Sequence, residues 1–241
     1  MDMRLVKGIL DYLATLAVIV VSAVLVWVLL SSRPAVSRAE ASRPEPPLPT
    51  APITLPSTGL QGNPAAPLAL MIYSDFQCPF CGEFARTTLP RLQDVYVQPG
   101  TLLLAFRHFP LSRLHPYAEK AAVAAECAGA QGRFWEMHDQ IFLRAKTLSD
   151  AALRQEARAL SLKMPAFESC LASGAAGRIK EDLELGRQLQ VTGTPTFFVG
   201  PLDSDRKLKV ARRFSGILSF EQFAGVLDGL IQDTRRKTAG R

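Results

Sequence analysis

Two cysteines three residues apart, Cys78-Pro79-Phe80-Cys81, stand between an apolar run and a helical pattern, and nothing else in the chain narrows the fold as much. The run Leu68–Ser74, preceded by Pro64 and Pro67, reads as a buried strand. From Pro79 to about Val97 the pattern is helical. Pro79 falls in the first turn, where a missing N–H costs nothing, and Pro90 is expected to kink the helix. On such a helix the two cysteines share one face, one turn apart. The first sits at the helix N-terminus, where unpaired N–H groups and the helix dipole favour an anion. A thiolate held there is a nucleophile and a good leaving group. The bland alternative is half of a zinc knuckle or a chance pair. The strand before, the helix after, a second pair of cysteines and an apolar N-terminal run favour a redox centre.

The rest of the domain follows the same kind of reading. Thr101–Arg107 predicts a second buried strand. From His115 to about Gln190 apolar and alanine positions recur at three and four, as at Ala121, Ala124, Ala125 and Ala128, while Gly129, Gly132, Pro165 and Gly174 divide the stretch into short helices. Thr194–Gly200 reads as a strand opened by Pro195, and a further short strand is expected near Leu208–Phe214. A last amphipathic helix is expected from about Ser219 to Ile231, with Ser219 and Gln222 spaced as a capping box. The order is that of an α/β sheet with a helical insertion.

The N-terminus reads as an address. Residues 12–30, YLATLAVIVVSAVLVWVLL, carry no charge; as a helix they would extend about 28 Å, close to the hydrocarbon thickness of a bilayer. A cleaved signal peptide has a shorter apolar region and a cleavage site close behind, whereas the nearest Ala-x-Ala pattern here is Ala39-Glu40-Ala41. One uncleaved transmembrane helix is therefore expected. Arg4 and Lys7 before it and Arg33, Arg38 and Arg43 after it leave the positive-inside rule nearly silent; an N-terminus inside is chosen because the redox chemistry needs an oxidising compartment. Residues 31–57 are rich in proline and poor in large apolar side chains, and read as an extended tether. The expected divisions are a tail over 1–11, an anchor over 12–30, the tether over 31–57, a folded domain over 58–233 with its helical insertion at about 115–190, and a basic tail over 234–241.

The net charge of +6, from 28 basic and 22 acidic residues, is mild. Its clusters, Arg206-Lys207, Lys209, Arg212-Arg213 and Arg235-Arg236-Lys237, read as a solvated face or a tail near anionic lipid rather than a nucleic-acid site. Four cysteines, two of them isolated, and three histidines without Cys/His spacing give no metal site, and no cofactor is expected. His108, His115 and His138 read as structural. Asp75 and Glu83 flank the cysteines and could move protons, although a residue at the place of Asp75 more often caps the helix. Phe134, Trp135 and Phe142 read as core.

Three segments, YSDFQCPFCGEF, RHFPLSRLHPYAEKAAVAAECAGAQGRFWEMHDQIF and VTGTPTFFVG, resemble in content and order the DsbA-like branch of the thioredoxin superfamily, over roughly residues 60–232. The resemblance implies a thioredoxin core interrupted by a helical domain. It implies that Cys78 forms the mixed disulfide with a client protein, that Cys81 is its buried partner, and that Thr194–Pro195 is a cis-proline site facing them. A cis X–Pro bond holds a tight turn and would leave the Thr194 backbone free to pair with an extended client peptide. Strongly oxidising members of the branch carry histidine where this chain has Phe80, which offers no ring N–H to the thiolate; each pKa unit of lost stabilisation is worth about 1.4 kcal/mol. The departure bears on how oxidising the centre is.

In an oxidising compartment Cys127 and Cys170, alone in one helical block, are expected to be bonded, as in several relatives; the alternative is two free buried thiols. The expected function is a membrane-anchored oxidase giving disulfides to exported proteins through Cys78-Pro79-Phe80-Cys81, as a monomer served by a membrane redox partner. A reductase or isomerase of the same fold, or a binding module with inert cysteines, stays open.

Overall fold

The computed structural model describes residues 3–31, 46–173 and 175–239, so residues 32–45 of the expected tether lie outside the described residues. The chain divides into two units between Pro46 and Pro47. Among its described residues the first holds one helix, α1 (Met3–Ser31). Its described side chains are exposed, Val18 at 66% and Trp27 at 69%. Among the described residues no helix is long and apolar enough to cross a membrane.

The second unit is built on a five-stranded sheet in the order β1-β3-β2-β4-β5, from β1 (Leu60–Gln61), β2 (Leu68–Ser74), β3 (Leu102–His108), β4 (Thr196–Pro201) and β5 (Arg212–Ser215). β2 and β3 are parallel, pairing Leu68 with Leu102 through Ser74 with His108, and the remaining neighbours are antiparallel. Every residue of β2 and β3 is buried, which is why both read as unbroken apolar runs: a strand covered on both faces has no polar side to show. Leu68, Leu70 and Ile72 pack with Phe84, Leu89, Phe223 and Leu227 on one face. Ala69, Met71 and Tyr73 pack with Phe109, Phe198 and Leu208 on the other.

The helix after the cysteines is in three pieces: α2 (Pro79–Thr87), α3 (Leu89–Leu92) and a π-helical turn at Gln93–Val97. Pro90 has no N–H for the carbonyl of Arg86, so the expected kink becomes a break. Between β3 and β4 lie α4 (Ala118–Gly129), α5 (Phe134–Leu143), α6 (Asp150–Ala159), α7 (Met164–Ser173) and α8 (Ala176–Gln188). Ala121, Ala124, Ala125 and Ala128 are fully buried in a core shared with Phe76, Phe106, Phe134 and Phe142. Cys127 of α4 and Cys170 of α7 form a disulfide, with an S–S distance of 2.02 Å and Cα atoms 5.6 Å apart. α9 (Phe220–Ala239) closes the fold. Its capping box is present, Ser219 N–H donating to Gln222 Oε1 at 2.9 Å and Gln222 N–H to Ser219 Oγ at 3.3 Å.

Two boundaries differ from expectation. The folded unit begins before residue 58: Ile53, 5% exposed, exchanges both backbone hydrogen bonds with Leu208 at 2.8 Å, so the last residues assigned to the tether belong to the core. α9 runs past Ile231 to Ala239 and takes in most of the expected basic tail, and Arg236 pairs with Asp233 at 3.4 Å. β1, two residues long, was not expected at all.

Candidate active site

The cysteines occupy the places that the end of β2 and the start of α2 give them. Cys78 is the N-cap of α2, in extended conformation (φ −67°, ψ 122°), with Pro79 in the first turn. Its N–H donates to Asp75 O at 3.1 Å, and its carbonyl accepts from Gly82 N–H at 3.0 Å. Both sulfurs are unbonded thiols and both are buried; Phe80 between them is 55% exposed. The Thr194–Pro195 bond is cis, and Cys78 Sγ donates to Thr194 O at 3.3 Å across 116 residues of sequence. The structure thus gathers Cys78, Pro79, Phe80, Cys81, Thr194 and Pro195 in one place.

The two thiols differ in acidity because they differ in surroundings. The hydrogen bond from the Cys81 thiol, above all, draws the Cys78 thiol down to about 5; burial opposes this, and the Thr194 side chain and the N–H groups of Cys81 and Phe80 add to it. In the neutral form the Cys78 proton points at Thr194 O. On ionisation that bond goes, and the buried Thr194 hydroxyl, which has no other partner, is free to join the Cys81 thiol and the main-chain N–H groups as a donor to the thiolate. Burial, first, and the bond it gives to Cys78 push Cys81 well above the usual thiol range, with Ser74 and the Asp75 N–H opposing. The donors at Cys78 are thus the neighbouring thiol, the Thr194 side chain and main-chain N–H groups, Phe80's own among them.

Asp75 is 1% exposed, and its carboxylate is taken up by groups of the surrounding loops. Oδ1 accepts Gln77 N–H at 2.7 Å. Oδ2 accepts Leu111 N–H at 2.8 Å and meets His115 Nδ1 at 2.7 Å. Gln77 Oε1 takes Tyr117 N–H at 2.6 Å. Asp75 therefore ties the loop that carries Cys78 to the segment joining β3 and α4, and it does not cap α2, whose N-cap is Cys78 with no side-chain hydrogen bond. Glu83 lies on the exposed side of α2.

Sequence reasoning missed the buried charges behind the site. His108 Nε2 meets Glu126 Oε1 at 2.9 Å, and Glu126 also accepts from Thr58 Oγ1. Burial raises the Glu126 carboxyl, but the bonds from His108 and Thr58 outweigh it and hold the group below its ordinary value. Arg107 pairs with Asp182 at 2.6 Å, and His108 N–H donates to the same carboxylate at 2.9 Å. The one available signal was a glutamate inside the alanine-rich face of α4. His138 is fully enclosed among Phe76, Phe106, Trp135 and Phe142, where burial lowers its pKa; this fits a structural role.

A Cys-x-x-Cys opening a helix, faced by a cis-proline loop on a thioredoxin-type sheet, defines a thiol–disulfide oxidoreductase of the DsbA-like class. The family model Thioredoxin_4, described as thioredoxin, matches residues 54–215, and the chain belongs to that family. Among solved structures, alpha-DsbA1 of Wolbachia pipientis is similar at a TM-score of 0.68 and 26% identity, over 77% of this chain and 96% of that one. BdbD of Bacillus subtilis shares the fold, with a TM-score of 0.62 at 18% identity over 78% and 100% of the two chains. Among curated proteins, the Na(+)/H(+) antiporter NhaA 3 of Salinispora tropica is 40% identical over 141 residues, 58% of this chain and 21% of its own length. The "Probable disulfide bond formation protein D" of Bacillus anthracis is 27% identical over 57% of this chain and 67% of its own. The chain spans only about a fifth to a quarter of the length of the antiporters it matches.

Proposed function

We propose that this oxidoreductase works as an oxidase, placing disulfides in exported client proteins, and that α1 anchors it in the membrane with the folded unit on the extracytoplasmic side. The observation that carries the direction is the placement of Cys78 as the N-cap of α2 against the cis-proline loop, among donors that draw its thiol down to about 5. A thiolate stabilised in the reduced protein makes the Cys78–Cys81 disulfide easier to reduce, so the pair is a better oxidant. In the proposed cycle a client thiolate attacks Cys78 Sγ of the disulfide. A client–Cys78 bond forms, the Cys78–Cys81 bond breaks, and the Cys81 sulfur leaves as a thiolate that takes up a proton. A second client thiolate then attacks the client sulfur of the mixed disulfide and expels the Cys78 thiolate. The client gains a disulfide, and the protein keeps two electrons, which a membrane redox partner must remove. Cys81, 1% exposed, is shielded from the client.

Membrane anchoring is supported by the uncharged stretch of α1 and by its exposed apolar side chains. It is supported also by relatives in which a domain like this one is part of an antiporter chain. The direction is tested by the reduction potential of the full chain against glutathione. A value well above that of thioredoxin is expected; a value at or below it would turn the assignment to a reductase. Cys81→Ala should trap mixed disulfides with clients and Cys78→Ala should not, whereas a binding module would keep its function without either cysteine.

A further inference from the structure

A groove of about 730 Å³ lies between the β3–α4 connection and α8. Its apolar lining comes from Phe109, Leu111, Leu114 and Leu183, and Leu114 is 73% exposed. The charged groups that line it are the guanidinium-bearing Arg113 and Arg187, both exposed. Among the described residues neither has a carboxylate within 4.0 Å. The ion pairs of α8 use Arg178 and Lys180 instead, and the nearby Glu119 is engaged by Ser112 Oγ at 3.3 Å.

Both walls are joined to the loops that hold Cys78. Leu111 N–H is bound to the Asp75 carboxylate at 2.8 Å, and Asp75 O holds Cys78 N–H at 3.1 Å. From Arg187 the chain leaves α8 and reaches Thr194, whose carbonyl meets Cys78 Sγ. We propose that this groove receives the client segment flanking the reacting cysteine and selects segments in which an apolar residue is followed by a carboxylate. The volume suits a few side chains, the lining offers them apolar surface, and the two unpaired cations favour an acidic residue over a basic one and speed its approach. This rests on the oxidase reading given above, since it names the clients of that same site.

The test uses the full chain in neutral detergent micelles and three dithiol peptides of equal length, identical except for Glu, Gln or Lys beside the apolar residue next to the cysteine. KM for peptide oxidation should be about fivefold lower for the Glu peptide than for the Gln peptide, and higher again for the Lys peptide. About 0.5 M salt should compress the spread. Arg113→Glu with Arg187→Glu should reverse the order of the peptides. Lys209→Glu with Arg212→Glu, an equal change of net charge just before and at the start of β5, should keep it. Fluorescence anisotropy of the same peptides with serine for cysteine gives binding without any redox step. Failure of the protein to oxidise any peptide would sink the oxidase reading while the anisotropy still decides the groove. Equal affinity for the three peptides, or reversal by the control variant as well, would overturn the proposal.

Discussion

At the scale of the residue, the chemistry turns on what surrounds one sulfur. Cys78 ionises near 5 in the folded reduced protein, against an ordinary value of 9.0. Between those values the unfolded chain binds a proton that the folded one does not, so the stability of the reduced protein rises with pH through that window. The contribution is complete above about pH 9 and is lost as the pH falls through about 5. The oxidised protein has no such proton to exchange. Denaturant unfolding at pH 5, 7 and 9 should therefore show the reduced form gaining on the oxidised form as pH rises, and parallel curves would refute the depressed thiol. Thr194→Val removes the hydroxyl left to serve the thiolate; the midpoint of its ultraviolet absorbance should move up in pH, with the cysteines still able to bond.

At the scale of the element, the loop between β2 and α2 owes its shape to Asp75. Asp75→Asn keeps one acceptor and turns the other oxygen into a donor facing donors, a loss of about 2 kcal/mol for a buried group left unpaired. Urea unfolding should show that loss, and the pH profile of thiol exchange should still follow Cys78; a profile that lost its Cys78 limb would return Asp75 to proton transfer. This network also marks what the sequence could tell. Cys78, Cys81, β2, β3 and the alanine face of α4 were legible because they rest on local spacing and on runs of one chemical character. Leu111 and His115 lie 36 and 40 residues from Asp75, and no local pattern announces a contact at that separation. β1 was too short to show a period, and Ile53, between Pro52 and Pro56, was hidden in a composition that reads as tether. Phe80 has no ring N–H to signal a role, yet its main-chain N–H supplies part of the stabilisation, which no side-chain pattern announces.

At the scale of the whole molecule, the proposed topology sets one expectation. The full chain should stay with membranes through an alkaline carbonate wash, and a thiol reagent that cannot cross membranes should label reduced Cys78 from the outer side. Cys127 and Cys170, already bonded to each other, should stay unlabelled. Release of a shortened soluble form from intact cells would refute the anchor. That same bond has a consequence for where the chain can persist. It joins residues 43 apart, and on the chain-entropy account closing such a loop is worth about 4 kcal/mol, a large part of the roughly 5–15 kcal/mol by which domains are stable. Reducing compartments keep such bonds open. A copy held back on the reducing side would lack that margin and spend more of its time unfolded, within reach of the proteases that clear such chains. On the proposed topology, delivery and durability are then linked: a copy that never left would be the shorter-lived one.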